Sequence, residues 1–86
     1  MELRQRVHEF FRSSFYAPRD LREDESLLES GVVDSTGVLE IVAFLESELG
    51  IEVPDEEILP QNFETIGRIC DYIERKLADA ARAATG

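Results

Sequence analysis

Ser35 is the residue whose type and setting are best suited to chemistry. It lies in the run 29–37 (ESGVVDSTG), at the start of a predicted amphipathic helix. Serine catalysis needs a base within hydrogen-bond reach and donors for an oxyanion. The single histidine, His8, lies in a predicted helix rich in Arg and Phe, where we expect it to be exposed, and nothing in the sequence ties it to Ser35. The serine is therefore predicted to be an attachment point rather than a catalyst.

Two interpretations of the Ser35 hydroxyl stay open at this point. One is helix capping, in which the hydroxyl accepts a hydrogen bond from the first turn. Val38 stands three residues on, so the reciprocal capping box is absent, and Asp34 is a suitable cap as well. The other is attachment of an anion, which the free N–H groups of a helix N-terminus stabilise. The two are compatible, because a phosphodiester on Ser35 would use the same donors.

The other reactive side chains do not form a specific site. One cysteine excludes an internal disulfide, and Cys70 falls on the apolar face of the last predicted helix, where a buried thiol is ordinary packing. One histidine excludes a cluster of zinc ligands of the usual kind. Carboxylate pairs are numerous, but chance explains them at this acid content, and the alternating oxygen ligands of a calcium loop are missing.

Charge divides the chain into an acidic centre and flanks that carry the bases. The net charge is −10, and no Lys or Arg occurs between residues 23 and 67, where thirteen of the 19 acidic residues lie. Such a surface repels phosphate backbones and anionic lipids, which argues against nucleic-acid or membrane binding. We expect basic protein partners. The alternative is that the acids only keep a small domain soluble.

Length and composition predict one small domain. With 86 residues and 43% hydrophobic content, the chain suits a single domain over 1–86, with a core at about 2–79 and a frayed tail at 80–86. No apolar stretch reaches the roughly 20 residues of a membrane span, and the N-terminus lacks the apolar segment of a signal peptide. A cytoplasmic protein is expected, and its high like charge favours a monomer.

The spacing of apolar residues predicts an all-α fold. Helices are expected at about 2–16, at 36–49 and from 64 into the tail, with a short helix at 55–59 that Pro60 ends. A long loop joins the first two helices. Three longer helices and one short helix predict a small bundle.

The long loop is expected to contain one helical turn. Ser26 and Glu29 have the spacing of a capping box, which favours such a turn. Leu27 and Leu28, between them, are predicted to fix the loop to the core.

The second helix is more apolar than one core face requires. Its predicted core face consists of Val38, Ile41, Val42, Leu45 and Leu49. Leu39 and Ala43 extend beyond this face and neighbour acidic residues. Extra apolar surface beside carboxylates predicts a docking face for a partner.

Three segments together resemble an acyl carrier protein: 27–35 (LLESGVVDS), 39–46 (LEIVAFLE) and 50–57 (GIEVPDEE). The helix order and the acidic second helix also match, so the resemblance spans nearly the whole chain. It implies a small four-helix bundle of acyl-carrier type. It also implies that Ser35 carries a 4′-phosphopantetheine arm, added from coenzyme A by a phosphopantetheinyl transferase, with the substrate held as a thioester on the arm's thiol.

The resemblance implies partners and a surface that recognises them. A carrier has no catalysis of its own, so an acyl- or aminoacyl-loading synthetase and a downstream acyltransferase or ketosynthase would act on the tethered group. The residues implied in partner recognition are Asp34, Thr36, Leu39, Glu40, Ala43, Glu46, Glu56 and Glu57.

The residues after the serine differ from those of fatty-acid carriers, which usually have Leu directly after it. Thr36 and Gly37 follow the serine here, and this variation resembles free-standing carriers of secondary metabolism or aminoacyl transfer. The run 28–35 also resembles D-alanyl and peptidyl carriers. A specialised acyl or aminoacyl pathway is therefore expected. The alternatives are housekeeping fatty-acid synthesis and a non-enzymatic acidic helical interaction module without phosphopantetheine.

Overall fold

All regular structure in the described part of the chain is helical. The computed structural model describes residues 2–18 and 21–85, with side chains given as far as Arg82. Its elements are α1 at Leu3–Ser14, α2 at Ser35–Glu48, a 3-10 turn at Asp55–Glu57, α3 at Pro60–Phe63 and α4 at Ile66–Thr85. Three longer helices and one short helix confirm the predicted all-α bundle of acyl-carrier type. Residues 19 and 20, in the expected long loop, lie outside the described residues.

One core holds the helices together. Its largest fully buried side chains include Phe11, Leu27, Ile41, Leu45, Ile66, Ile69 and Ile73. Burial of each such side chain stabilises the fold by about 1.5–3 kcal/mol. Ile41 and Leu45, four residues apart, fix one face of α2 against this core, and Phe10 of α1 stacks on Phe44 with 4.2 Å between ring centroids. The opposite face of α2 is left free for other contacts.

The loop between α1 and α2 is fixed to the region where α4 begins. Leu27 is 1% exposed and its N–H donates to the Glu64 carbonyl at 2.9 Å, while the Glu23 carbonyl accepts from the Gly67 N–H at 2.8 Å. Leu28 is 53% exposed, so the prediction that both leucines pack into the core is wrong for Leu28. In this tight turn, consecutive side chains point in different directions, and only Leu27 faces inward.

Polar side chains also hold the loop. The Ser26 hydroxyl accepts from the N–H of Glu29 at 3.2 Å, as the predicted capping turn requires. His8 is half-buried, with Nε2 3.0 Å from Oε2 of Glu23, and Arg4 donates to the same carboxylate. The expectation of an exposed histidine is therefore wrong, because the loop folds back over this part of α1.

Pro60 begins a helix instead of ending one. The sequence predicted a helix at 55–59, but only the 3-10 turn Asp55–Glu57 forms, and Pro60 is the first residue of α3. Proline suits this position because the first helical N–H has no partner within the helix. The last helix then starts at Ile66, slightly later than predicted.

The last helix is longer than the packed part of the bundle. The helix α4 continues to Thr85, as its many alanines favour. The fraying expected for 80–86 stays a prediction. Leu77 is 43% exposed, so the core ends near Ile73. Gly86 lies outside the described residues.

Candidate functional site

The segment before α2 turns sharply and brings polar residues to the surface. Gly31 has a φ of 81°, in the left-handed region that favours glycine, and its N–H donates to the Leu28 carbonyl at 3.2 Å. Val33 is buried, and its N–H donates to the Leu27 carbonyl at 3.1 Å. With Val33 fixed in the core, the next residues, 34–36, are exposed.

Asp34, rather than Ser35, caps α2. Asp34 occupies the N-cap position, and its Oδ1 accepts from the Gly37 N–H at 2.7 Å. A cap of this kind stabilises a protein by about 1 kcal/mol. Ser35 is the first helical residue and is exposed, and its hydroxyl has no hydrogen-bond partner among the described residues. The cap leaves the Ser35 hydroxyl free to react.

Gly37 lets the end of α1 pack beneath the first turn of α2. A β-carbon at position 37 would lie 2.8 Å from Cε1 of Phe15 and 3.0 Å from Cγ1 of Val33. Any larger residue would therefore displace the Phe15 ring, which stacks on Phe11 with 5.4 Å between centroids. The turn that presents Ser35 thus rests on an aromatic cluster.

An apolar cleft of about 450 Å³ lies next to Ser35, between the loop, α2 and the segment that leads into α3. Its apolar lining includes Leu28, Val38, Ile58, Leu59 and Phe63. The sequence did not predict this cleft, because no spacing rule brings Leu28 together with residues 58–63. The available signal was the second of two adjacent leucines, since Leu27 alone is enough to fix the loop to the core and Leu28 is not needed for that contact.

Most of the proposed recognition residues lie on one exposed side of α2. Leu39 is 63% exposed, which is unusual for a large apolar side chain. The proposed recognition residues that are exposed are Asp34, Thr36, Leu39, Glu40, Ala43, Glu46 and Glu56. The structure therefore brings an apolar patch and carboxylates together beside Ser35.

Glu46 and Glu57 also have partners within the chain. Oε2 of Glu46 accepts from the Val53 N–H at 3.2 Å and so fixes the connector after α2. Oε1 of Glu57 accepts from the Tyr72 hydroxyl at 2.7 Å and from Nζ of Lys76 at 3.0 Å. The Tyr72 hydrogen bond, with Lys76, lowers the pKa of Glu57, while burial raises the pKa of Tyr72. Glu57 thus stabilises the fold, in addition to any contact with a partner.

Other reactive groups in the described residues do not assemble a second site. Cys70 is fully buried, and burial raises the pKa of its thiol to about 11, so the thiol stays protonated at neutral pH. Across residues 2–18 and 21–85, no three His, Cys, Asp or Glu side chains are placed to hold a metal ion. Nor is any described helix both long and apolar enough to span a bilayer.

Comparison with known proteins decides the family. A family model described as a phosphopantetheine attachment site matches residues 3–73. The chain belongs to the acyl carrier protein family. D-alanyl carrier proteins from Streptococcus pyogenes serotype M5 (strain Manfredo) and serotype M1 are each 32% identical to this carrier over 74 residues, 86% of this chain and 94% of theirs.

A solved structure resembles the carrier in fold and sequence. It is a crystal structure of an FAD-dependent dehydrogenase, and the matching chain superposes with a TM-score of 0.69 at 28% identity. The match covers 78% of this carrier and 97% of that chain.

The carrier has a covalently attached 4′-phosphopantetheine, as its family implies. The start of α2 fits such a group. Ser35 is exposed, and the N–H groups of Ser35 and Thr36 have no partner among the residues described. These donors lie at the positive end of the helix dipole, which favours a phosphate. The apolar cleft beside Ser35 has room for an attached chain.

Proposed function

We propose that Ser35 is the attachment residue, and that the carrier tethers an acyl or aminoacyl group as a thioester and shuttles it between partner enzymes. The observation that carries this proposal is the exposed, unbonded Ser35 hydroxyl, which is free because Asp34 caps the helix. In the modification step, the Ser35 oxygen attacks the pantetheine-bearing phosphorus of coenzyme A and forms a phosphodiester bond. The pyrophosphate P–O bond of coenzyme A breaks, adenosine 3′,5′-bisphosphate leaves, and the serine proton passes to the transferase. The attached arm supplies the thiol on which the cargo is carried.

The carrier itself contributes positioning and recognition instead of catalysis. A tether keeps the thioester at high effective concentration near each docked enzyme, and those enzymes supply the chemistry. The proposed recognition surface consists of the exposed residues Asp34, Thr36, Leu39, Glu40, Ala43, Glu46 and Glu56, with Glu57 at its edge. Electrostatic contacts of this kind raise the association rate more than the affinity, which suits a protein that must leave each partner.

The proposed partners follow from this cycle. They are a phosphopantetheinyl transferase, an acyl- or aminoacyl-loading synthetase and a downstream acyltransferase or ketosynthase. We propose that the carrier acts in the cytoplasm. We also propose that it is a monomer, because its net charge of −10 disfavours self-association.

A specialised pathway is preferred to fatty-acid synthesis. The D-alanyl carrier proteins among its relatives support an aminoacyl cargo, and Thr36 with Gly37 points in the same direction. The similar chain in the FAD-dependent dehydrogenase structure supports a flavin enzyme as a further candidate partner, one that would oxidise the tethered group.

The test is the intact mass of the protein after co-expression with a promiscuous transferase. We expect the mass of one phosphopantetheine to be added to the wild-type chain and none to Ser35→Ala. Ser47→Ala is the matched control, since Ser47 is an exposed serine on the same helix, and it should be modified normally. An unmodified wild-type chain would favour a permanent helical interaction module instead.

A further inference from the structure

The inner side of the first turn of α2 has no room for another carbon atom. A β-carbon at Gly37 would lie 2.8 Å from Cε1 of Phe15 and 3.0 Å from Cγ1 of Val33. It would also lie 3.4 Å from Oδ1 of Asp34, the atom that caps the helix. Glycine is therefore needed here for a close approach between the end of α1 and the turn that carries Ser35.

The Phe15 ring is confined by its neighbours. It stacks on Phe11 with 5.4 Å between centroids, and it meets Phe10 edge to face at 5.6 Å. Phe10 in turn stacks on Phe44 of α2 at 4.2 Å. Close-packed interiors transmit strain instead of absorbing it. A displacement of the Phe15 ring would therefore be shared with the first turn of α2.

The backbone after Phe15 fixes the ring from its other end. The N–H groups of Phe15 and Ala17 both donate to the Phe11 carbonyl, at 3.0 and 3.2 Å. Tyr16, between them, has a φ of 55°, in the left-handed region that bulky residues rarely adopt. Ala17 is buried, so the chain returns to the core directly after this turn. Backbone strain persists only where the surrounding structure determines the conformation, and it clusters at functional sites.

We infer that Phe15 and Gly37 are positioning residues for the modification of Ser35. The inference rests on the proposed attachment at Ser35. The glycine admits the ring beneath the first turn of α2, and the ring holds this turn in place relative to the rest of the helix. The Ser35 oxygen is thereby held where a docked transferase presents coenzyme A. Both residues act through Ser35 and take no part in the bond changes.

A displaced turn should slow the chemical step and leave docking unchanged. The exposed residues Leu39 and Glu40 of the proposed recognition surface lie beyond this turn. The KM of the transferase for Gly37→Ala should therefore stay within about twofold of the wild-type value. The kcat should fall by about tenfold, because a misplacement of about 1 Å can reduce a rate by as much as about 10²-fold. Initial rates at saturating coenzyme A and varied carrier concentration separate the two constants.

Shortening the Phe15 side chain tests the contact itself. Phe15→Leu removes the Cε1 atom that a β-carbon at Gly37 would strike. Alone, this change should lower kcat by about threefold, because the turn loses its support. Gly37→Ala with Phe15→Leu should recover to within about threefold of wild type, whereas independent effects would multiply to about thirtyfold. Loss of stability does not produce such a recovery, since two unrelated destabilising changes add.

Gly67→Ala is the matched control. Gly67 is also a helical glycine in a tight place, since a β-carbon there would lie 3.1 Å from the Glu23 carbonyl oxygen. It belongs to α4, which does not carry Ser35. We expect this variant to be less stable in urea than the wild type and to keep the wild-type kcat. Urea unfolding of every variant confirms that each is folded under the assay conditions.

Three outcomes would overturn the inference. Wild-type kcat values in both single variants would show that the contact does not position Ser35. An equal loss of kcat in Gly67→Ala would assign the effect to general destabilisation, and an additive double variant would exclude a shared contact. If Gly37→Ala does not fold, Phe15→Leu still tests the inference, because it adds no atoms. The proposed function fails separately, since in that case the wild-type chain itself is not modified.

Discussion

At the scale of single residues, Asp34 caps α2 and Ser35 keeps a hydroxyl without a hydrogen bond to the described residues. A serine alone at the helix start would have to serve both purposes. The Asp34 carboxylate satisfies the Gly37 N–H, so the neighbouring hydroxyl is not needed by the helix. Asp34 is also exposed, and a partner can contact it. Its two roles can be separated, because capping needs an oxygen acceptor whereas electrostatic recognition needs a charge.

Two substitutions of Asp34 test this separation. Asp34→Asn should leave the free energy of unfolding nearly unchanged, because asparagine caps about as well as aspartate. Asp34→Ala should lower it by about 1 kcal/mol. Both should slow modification by the transferase if the charge is recognised. Urea unfolding measures the first effect and time-resolved mass spectrometry the second, and a full modification rate in Asp34→Asn would contradict a recognition role for the charge.

The position of Ser35 at the start of α2 could be predicted from the sequence, but the surroundings of several residues could not. Attachment at Ser35 stays a prediction, made from a hydroxyl at a helix start and the characteristic run around it. The burial of His8 and the exposure of Leu28 depend on how the long loop folds back, and periodicity does not describe a loop. The internal bonds of Glu57 need Tyr72, which is fifteen residues away in sequence.

At the scale of elements, the loop between α1 and α2 is fixed by one of two adjacent leucines. Leu27 fills the core, while Leu28 borders the cleft. The helices themselves were predictable, since each long helix repeats apolar residues at three- and four-residue spacing. The start of α3 was not predictable, because proline can either end one helix or occupy the first position of the next.

Paired substitutions in the loop should give opposite results. Leu27→Ala should reduce the free energy of unfolding by about 2–5 kcal/mol, as for other large-to-small changes in a core. Leu28→Ala should change it by less than about 0.5 kcal/mol, because the side chain is mostly exposed. Chemical denaturation of both variants checks this, and similar losses would mean that Leu28 supports the core after all.

A second contact between elements should make stability depend on pH. The Tyr72 hydroxyl lowers the pKa of Glu57 below its ordinary value of 4.5, so this contribution is complete above that value and is lost as pH falls through the lowered pKa. Tyr72→Phe should therefore reduce the stability at pH 7, with a difference from wild type that narrows in acid. Tyr16→Phe, at a tyrosine that is 88% exposed, should have no such effect in the same pH series of thermal melts.

At the scale of the whole molecule, the acidic centre of the chain provides a long-range field for partners. The bases are confined to the two ends of the sequence, so no described Lys or Arg lies within α2. Fields of this kind speed association at low salt and are screened within about 10 Å at 0.1 M ionic strength. Recognition by the transferase should accordingly be sensitive to salt.

The rate at which the transferase modifies the carrier tests whether the electric field of the acidic residues contributes to recognition. We expect the rate to fall by about tenfold between low and high salt, and Glu40→Lys to lower it further at low salt. Glu9→Lys is the matched control, since it makes the same charge change at an exposed position on α1. Modification rates that do not vary with salt, or an equal effect of both variants, would contradict an electrostatic docking surface on α2. Glu46 is less suitable for this test because its carboxylate also accepts a hydrogen bond from the Val53 N–H.

The deep position of Cys70 has a practical consequence for the protein whose arm carries no cargo. A thiol reagent added to the folded carrier cannot reach the Cys70 sulfur, so the reagent consumed at neutral pH counts the arms whose thiol is free. For the same reason, a disulfide between two folded copies would have to join one arm to the other. The protein can therefore present the reactive thiol of the arm, while the buried thiol of Cys70 does not react.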